Sequence, residues 1–279
     1  YLFKTFTQMK ILLNKTSLTK SLGPFDDIGF VPTMGSIHKG HLSLINRSNQ
    51  VCNKTIVSIF VNPKQFNNKK DFKTYPKNIK KDLKLLNKTN KVDFIYIPKV
   101  RDIFYNNKKP KIKLKKKDKI LCAKFRIGHF EGVLDVMDRL TSIIKPNKIF
   151  MGEKDYQQLF LVKKFLKNKY NTEVIGCKTI REKNKVALSS RNHLLSKENL
   201  ALASIIIKKL IYLKKIIKIK KNKNRYLKTV KSDLEKKLNI IIEYLELRDV
   251  NNLKLSNDFN KSRLFIAYYL NGVRLIDNL

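Results

Sequence analysis

Short apolar runs at residues 28–31, 55–61, 92–97, 148–151 and 173–177 punctuate the first two thirds of the chain. They are nearly continuous in Val, Ile and Phe rather than alternating with polar residues. Strands of that texture are buried on both faces, as in a parallel sheet covered by helices. Between them, apolar residues recur at helical spacing over 42–51, 78–86, 133–144 and 156–166. Strand–helix alternation predicts an α/β domain over residues 1–180. The texture changes beyond Ser196, the expected N-cap of a helix reaching about residue 220. A second helix over 226–242 and strands over 244–248 and 263–269 complete a smaller α+β domain, 181–279. A chain of 279 residues lies near the length at which one core stops growing, which suits two domains. The lysine-rich segment 106–119 breaks both patterns and reads as an exposed loop with room for one short strand.

Composition changes this picture little. A hydrophobic content of 42% is that of a folded chain. No apolar run reaches the roughly 18 residues of a membrane span, and the first residues lack the order of a signal peptide. Three scattered cysteines form no CxxC, so we expect a reduced, cytoplasmic setting without a zinc site. The net charge of +39 invites a nucleic-acid reading. Of the 61 basic residues, however, 51 are Lys and 10 are Arg, spread along the whole chain with abundant Asn and Ile. That skew fits A/T-rich codons better than a phosphate-binding face, which favours the planar fork of Arg. No specific nucleic acid and no membrane is expected as a partner.

The candidate chemistry follows the strands directly. After residues 28–31 come Pro32-Thr-Met-Gly-Ser-Ile-His-Lys-Gly-His41, a turn entering a helix with two imidazoles three residues apart. Unpaired amides and the helix dipole would make that end a phosphate seat. After 55–61, Asn62-Pro63 stops the strand and brings out Gln65; by spacing alone, a substrate amide and an ordinary loop glutamine are both open. Arg126-Ile-Gly-His-Phe-Glu-Gly132 is equally a turn before a helix or a place where glycine admits a ligand. In Gly152-Glu-Lys-Asp155, Lys154 at a helix start calls for an anion, whereas Glu153 and Asp155 suit the dipole. Gln158 lies one turn on. Ser189-Ser190-Arg191 pairs hydroxyls with a guanidinium suited to phosphate. GxSxG, Walker and GxGxxG signatures are absent, which argues against a serine hydrolase, a P-loop enzyme or a dinucleotide enzyme.

Five blocks, PTMGSIHKGH, VSIFVNPKQF, RIGHFEGV, GEKDYQQ and ALSSRN, in this order and spacing closely resemble the pantothenate synthetase (pantoate–β-alanine ligase) family, and the ending Arg274-Leu-Ile-Asp277 is similar too. The resemblance implies a Rossmann-like domain of the HIGH-motif nucleotidyltransferase superfamily, with the C-terminal domain as a lid. It also implies a homodimer, ATP with Mg²⁺, and condensation of (R)-pantoate with β-alanine through a pantoyl adenylate. Carried over by motif, Met34, Gly35, Ser36, Ile37, His38, Lys39, Gly40 and His41 would line the ATP site, with His41 as proton donor and His38 and Lys154 as catalytic partners. Gly152, Glu153, Lys154, Asp155, Ile180, Leu188, Ser189, Ser190 and Arg191 would also hold ATP. Gln65 and Gln158 would bind pantoate. The metal ligands stay unassigned. Four positions depart from the pattern: Ile127 for a common Pro, Ala123 for a common Gly, and Asn184-Lys185 for Asp-Gly in a tight turn. A nucleotidyltransferase that moves AMP onto a phosphate acceptor, and a basic RNA-binding module, are the competing readings.

Overall fold

A computed structural model describes residues 9–67, 69–105 and 112–279. The expectations for the first residues and for 106–111 of the lysine-rich segment lie outside the described residues. The chain divides into two compact units. The first comprises Tyr1–Lys116, Arg126–Glu153 and Gln158–Lys178; the second comprises Lys117–Phe125, Lys154–Gln157 and Thr179–Leu279.

In the first unit, strands β1 (Lys10–Leu12), β2 (Ile28–Thr33), β3 (Lys54–Ile59), β4 (Phe94–Tyr96), β5 (Lys148–Gly152) and β6 (Glu173–Cys177) form one sheet in the order β1-β4-β3-β2-β5-β6. Every pairing is parallel. Phe30, Val31, Ile56, Val57, Ile95, Ile149 and Phe150 are wholly buried, which is why these strands read as unbroken apolar runs. The chain crosses through α1 (Lys15–Leu22), α2 (Lys39–Val51), α3 (Lys69–Thr74), α4 (Ile79–Asn87) and α5 (Val100–Ile103). After the short helix α6 (Cys122–Phe125), which belongs to the second unit, come α7 (His129–Ile144) and α8 (Tyr156–Leu166). From the central β2 the chain winds outward through β3 and β4, then returns to β5 on the other side of β2. That reversal is a topological switch point, where α/β sheets open a crevice beyond the strand ends.

The second unit is built on α9 (Lys197–Ile216), α10 (Lys223–Leu238) and an antiparallel sheet of β7 (Ile241–Asp249), β8 (Ser262–Leu270) and β9 (Val273–Asn278). Ser196 caps α9 as expected, its hydroxyl accepting the Asn199 N–H at 3.2 Å. The helix expected over 226–242 is shorter. Asn239 takes a left-handed conformation (φ 48°) after Leu238, and Ile241 already belongs to β7. Of the lysine-rich segment, the described part, 112–119, holds a 3₁₀ turn over Lys116–Asp118 and no strand.

Candidate functional site

The loop leaving β2 is shaped by two left-handed residues, Gly35 (φ 81°) and Ser36 (φ 52°). Their conformation turns the amides of Ser36 and Ile37 toward one carboxylate, Asp82 of α4. Its two oxygens accept these N–H groups at 2.8 Å each. Asp82 is 4% exposed, and a Cβ on Gly35 would lie 2.9 Å from it. The glycine is therefore required both by its φ and by this close approach. Asp82 is a residue sequence reasoning missed. Its position in the first turn of α4 reads as an ordinary dipole partner, and only the fold brings it to residues 36 and 37.

His38 is the N-cap of α2, and its Nδ1 accepts the Gly40 N–H at 3.1 Å. His41 reaches back, its Nδ1 accepting the His38 N–H at 3.3 Å. The two rings stack with centroids 4.1 Å apart. A backbone N–H can only donate, so both Nδ1 atoms are unprotonated acceptors and each neutral ring carries its proton on Nε2. The sequence led us to expect unpaired amides at this helix start. The amides of Ser36, Ile37, His38 and Gly40 instead have partners within the protein. Lys39 is exposed on the first turn.

Beyond β3, Asn62 caps the 3₁₀ turn Pro63–Gln65 and gives its Nδ2 to Gln65 Oε1 (3.2 Å) and to the Gly132 carbonyl (3.0 Å). Gln65 is 8% exposed, and its Nε2 contacts Met34 Sδ at 2.8 Å. The structure thus joins the loops after β2 and β3. His129 closes the turn from the other side, with Nδ1 2.7 Å from the Gln65 carbonyl and Nε2 2.9 Å from Arg126 Nη1. A carbonyl accepts and a guanidinium donates, so His129 is neutral with its proton on Nδ1. Gly132 admits protein rather than ligand: its Cβ would lie 2.3 Å from the Lys64 carbonyl oxygen. The buried Asp135 adds ion pairs with Lys64 (3.1 Å) and Arg139 (2.6 Å), the former fastening α7 to the turn. Gly128 starts α7 at φ 81°, and the neighbouring Ile127 is exposed. The carbonyl of Ile127 accepts a hydrogen bond from Asn67 Nδ2.

β5 ends at Gly152, beside β2 across the switch point. Glu153 through Asp155 form a 3₁₀ turn before α8, and the half-buried Gln158 follows. In the second unit, the Lys154 side chain is 18% exposed and its ammonium lies 3.8 Å from Asp155. Ile180 and Leu188 are joined by a backbone hydrogen bond (3.0 Å) at the base of a hairpin. Its turn puts Lys185 at φ 73°, so the expected left-handed position exists and is occupied by lysine. Ala123 sits buried in α6, a helix that needs no glycine. Ser189 accepts the Arg191 N–H at 3.2 Å, capping the turn Ser190–Leu194.

The ending Arg274-Leu-Ile-Asp277 is a scaffold within the second unit. Arg274 forks onto Glu243 (2.6 and 3.1 Å), and Asp277 takes both Arg181 nitrogens (2.6 and 2.8 Å). Burial raises the Cys177 thiol above its ordinary pKa, the opposite of what a nucleophile needs. Among the described residues, no cluster of three His, Cys, Asp or Glu could hold a metal. Nor is any helix among them long and apolar enough to cross a membrane.

A family model described as pantoate–β-alanine ligase matches residues 2–279. Among curated proteins, the chain is similar to a pantothenate synthetase of Flavobacterium psychrophilum, with 39% identity over 97% of this chain and 99% of the relative. Another, from Ruthia magnifica, is 39% identical over 97% and 98%. Among solved structures it is similar to the Thermus thermophilus pantothenate synthetase, with TM-score 0.88, 30% identity and 97% and 99% coverage. A Francisella tularensis pantoate–β-alanine ligase, complexed with β-γ ATP and β-alanine, matches at TM-score 0.82, 35% identity and 97% of each chain.

Proposed function

We propose that this chain, which belongs to the pantoate–β-alanine ligase family, condenses (R)-pantoate with β-alanine, using ATP and releasing AMP and diphosphate. One observation carries the assignment of chemistry. The stacked His38 and His41 each accept a backbone amide at Nδ1, which fixes the two rings side by side at the start of α2 with their protons on Nε2. Neutral donors held in this way stabilise charge that develops on a departing pyrophosphate without reorganising. His41 and His38 act in this reading as hydrogen-bond donors, and Lys154 adds a formal charge.

Met34–His41 and Gly152–Asp155, with Ile180 and Leu188–Arg191, are the ATP residues. Gln65, steadied by Asn62, and Gln158 orient pantoate through their amides. The pantoate carboxylate attacks the α-phosphorus and pyrophosphate leaves. The amine of β-alanine then attacks the acyl carbon, loses a proton as the amide forms, and breaks the acyl–phosphate mixed anhydride, releasing AMP. Positioning and charge stabilisation suffice for both steps.

Both oxygens of Asp82 are spent on amides, and the described residues offer no cage for a metal. Such a donor set fits Mg²⁺ arriving on the triphosphate and keeping its waters, where it would neutralise phosphate charge. Asp155, half exposed, is the carboxylate available to it in the ATP block. A homodimer and a cytoplasmic location belong to the same reading.

Purified protein given ATP, pantoate and β-alanine, with each omitted in turn, tests the function. Pantothenate with equimolar AMP is expected only when all three are present. AMP transfer to a phosphate acceptor would favour the nucleotidyltransferase reading instead.

A further inference from the structure

The last strand of the chain ends in two buried polar residues, Asp277 and Asn278, each 4% exposed. Buried polar groups are costly unless satisfied, so their partners indicate what they are for. Asp277 takes the guanidinium of Arg181 at 2.6 and 2.8 Å, gripping the hairpin whose base is the Ile180–Leu188 hydrogen bond. The next residue, Asn278, donates from Nδ2 to the Lys154 carbonyl oxygen at 2.9 Å. Its Oδ1 accepts from Arg263 Nη1 at 2.9 Å, which fixes the orientation of the amide. The Asn278 carbonyl also accepts from Arg181 Nη2 at 3.1 Å. Two segments far apart in sequence, one carrying Lys154 and the other the hairpin, are thus referenced to consecutive residues of β9. The mutual pairing of Leu264 and Leu279 through backbone N–H and carbonyl groups (3.0 Å each way) holds that strand end in place.

We propose that Asn278 is a positioning residue for ATP use, holding the Lys154 backbone so that its ammonium meets the phosphates, with Asp277 holding the hairpin from the same strand end. The inference rests on the assignment of Lys154 to ATP. A long, flexible lysine side chain on an unanchored turn samples many positions. Fixing its carbonyl removes the backbone part of that freedom before substrate arrives.

Asn278→Asp is the informative variant. It keeps the Oδ1 acceptor for Arg263 but sets a second acceptor against the Lys154 carbonyl, which breaks that bond. Pre-steady-state pantoyl adenylate formation is measured in the wild type, Asn278→Asp, Lys154→Ala and the double variant, with thermal melting in parallel. In the wild-type background, Asn278→Asp is expected to lower kcat/KM for ATP about tenfold, as loss of one aligned bond can, with pantoate KM unchanged. In the Lys154→Ala background the same change is expected to cost less than about twofold, because residues acting as a unit are non-additive. Equal losses in both backgrounds, or a rise in pantoate KM matching that of ATP, overturn the inference. An intact Asn278→Asp enzyme beside an impaired Lys154→Ala enzyme overturns it and leaves the Lys154 assignment standing. An intact Lys154→Ala enzyme overturns that assignment and the inference with it. Should Asn278→Asp not fold, Asn278→Ser in the same four-way comparison gives the same readouts.

Discussion

Gly132→Ala is expected to damage pantoate use while sparing ATP binding. The added Cβ would sit 2.3 Å from the Lys64 carbonyl oxygen, 2.6 Å from its carbon and 3.0 Å from the Gln65 nitrogen. All three are backbone atoms, so no side chain can swing aside. Reaching ordinary contact at 3.4 Å means parting α7 from the turn by about 1 Å (3.4 minus 2.3). The bonds fastening them are already at working length: Asn62 Nδ2 to the Gly132 carbonyl at 3.0 Å, His129 Nδ1 to the Gln65 carbonyl at 2.7 Å, and Lys64 to Asp135 at 3.1 Å. A shift of that size breaks or stretches them and displaces Gln65 from Met34. Overpacking of this kind costs about 1–3 kcal/mol of stability. A misplacement of about 1 Å at a positioning residue can cost up to about 10²-fold in rate. The assay is kcat/KM for pantoate at saturating ATP and β-alanine, alongside urea unfolding. Gly152→Ala is the steric control, since its Cβ would meet nothing within 4 Å; unfolding should not change, and any loss of ATP affinity there reports ligand against that backbone. A Gly132→Ala enzyme with wild-type stability and wild-type pantoate kinetics refutes the reasoning.

Asp82→Asn leaves one acceptor for two amides and sets an NH₂ against the other, so urea unfolding should report a loss of about 2–3 kcal/mol. Unchanged stability would mean the loop holds its left-handed turn without the carboxylate. Lys185→Gly removes a left-handed strain of about 1–2 kcal/mol and adds some unfolded-state entropy. Calorimetry should show the melting temperature rising by about 1–3 °C; a fall would contradict the hairpin geometry. His41→Ala and Lys154→Ala should each lower adenylate formation by about 10²-fold or more, as loss of a preorganised donor does. Normal single-turnover rates in either variant would remove that residue from the chemistry.

The parallel sheet is legible in the sequence because β2, β3 and β5 are buried on both faces and are rich in Val, Ile and Phe. β1 is not: it has three residues, two of them exposed, and its apolar run is only Ile11-Leu12-Leu13. β9 is hidden for the opposite reason. Its Asp277 and Asn278 are buried against Arg181, Arg263 and Lys154, so polar residues occupy core positions and mask the period. In the site, residues announced by local spacing emerge first: the His38–His41 pair, the Asn62-Pro63 stop before Gln65, and Lys154 at a helix start. Asp82 and Asn278 act across sequence separations of 45 and 124 residues, and no local pattern carries such a distance. The glycine blocks illustrate the same limit. Gly132 signals close approach, but the sequence does not say that the approaching group is the Lys64 carbonyl.

Adenylation of a carboxylate is the central claim, and oxygen transfer tests it most directly. Pantoate labelled with ¹⁸O in its carboxylate is incubated with enzyme, ATP and β-alanine, and AMP and pyrophosphate are analysed by mass spectrometry. Attack on the α-phosphorus puts a carboxylate oxygen on that atom, and the later amine attack leaves it there. The expected result is one labelled oxygen in AMP and none in pyrophosphate. Label in inorganic phosphate with ADP as product, or unlabelled AMP, would contradict the account.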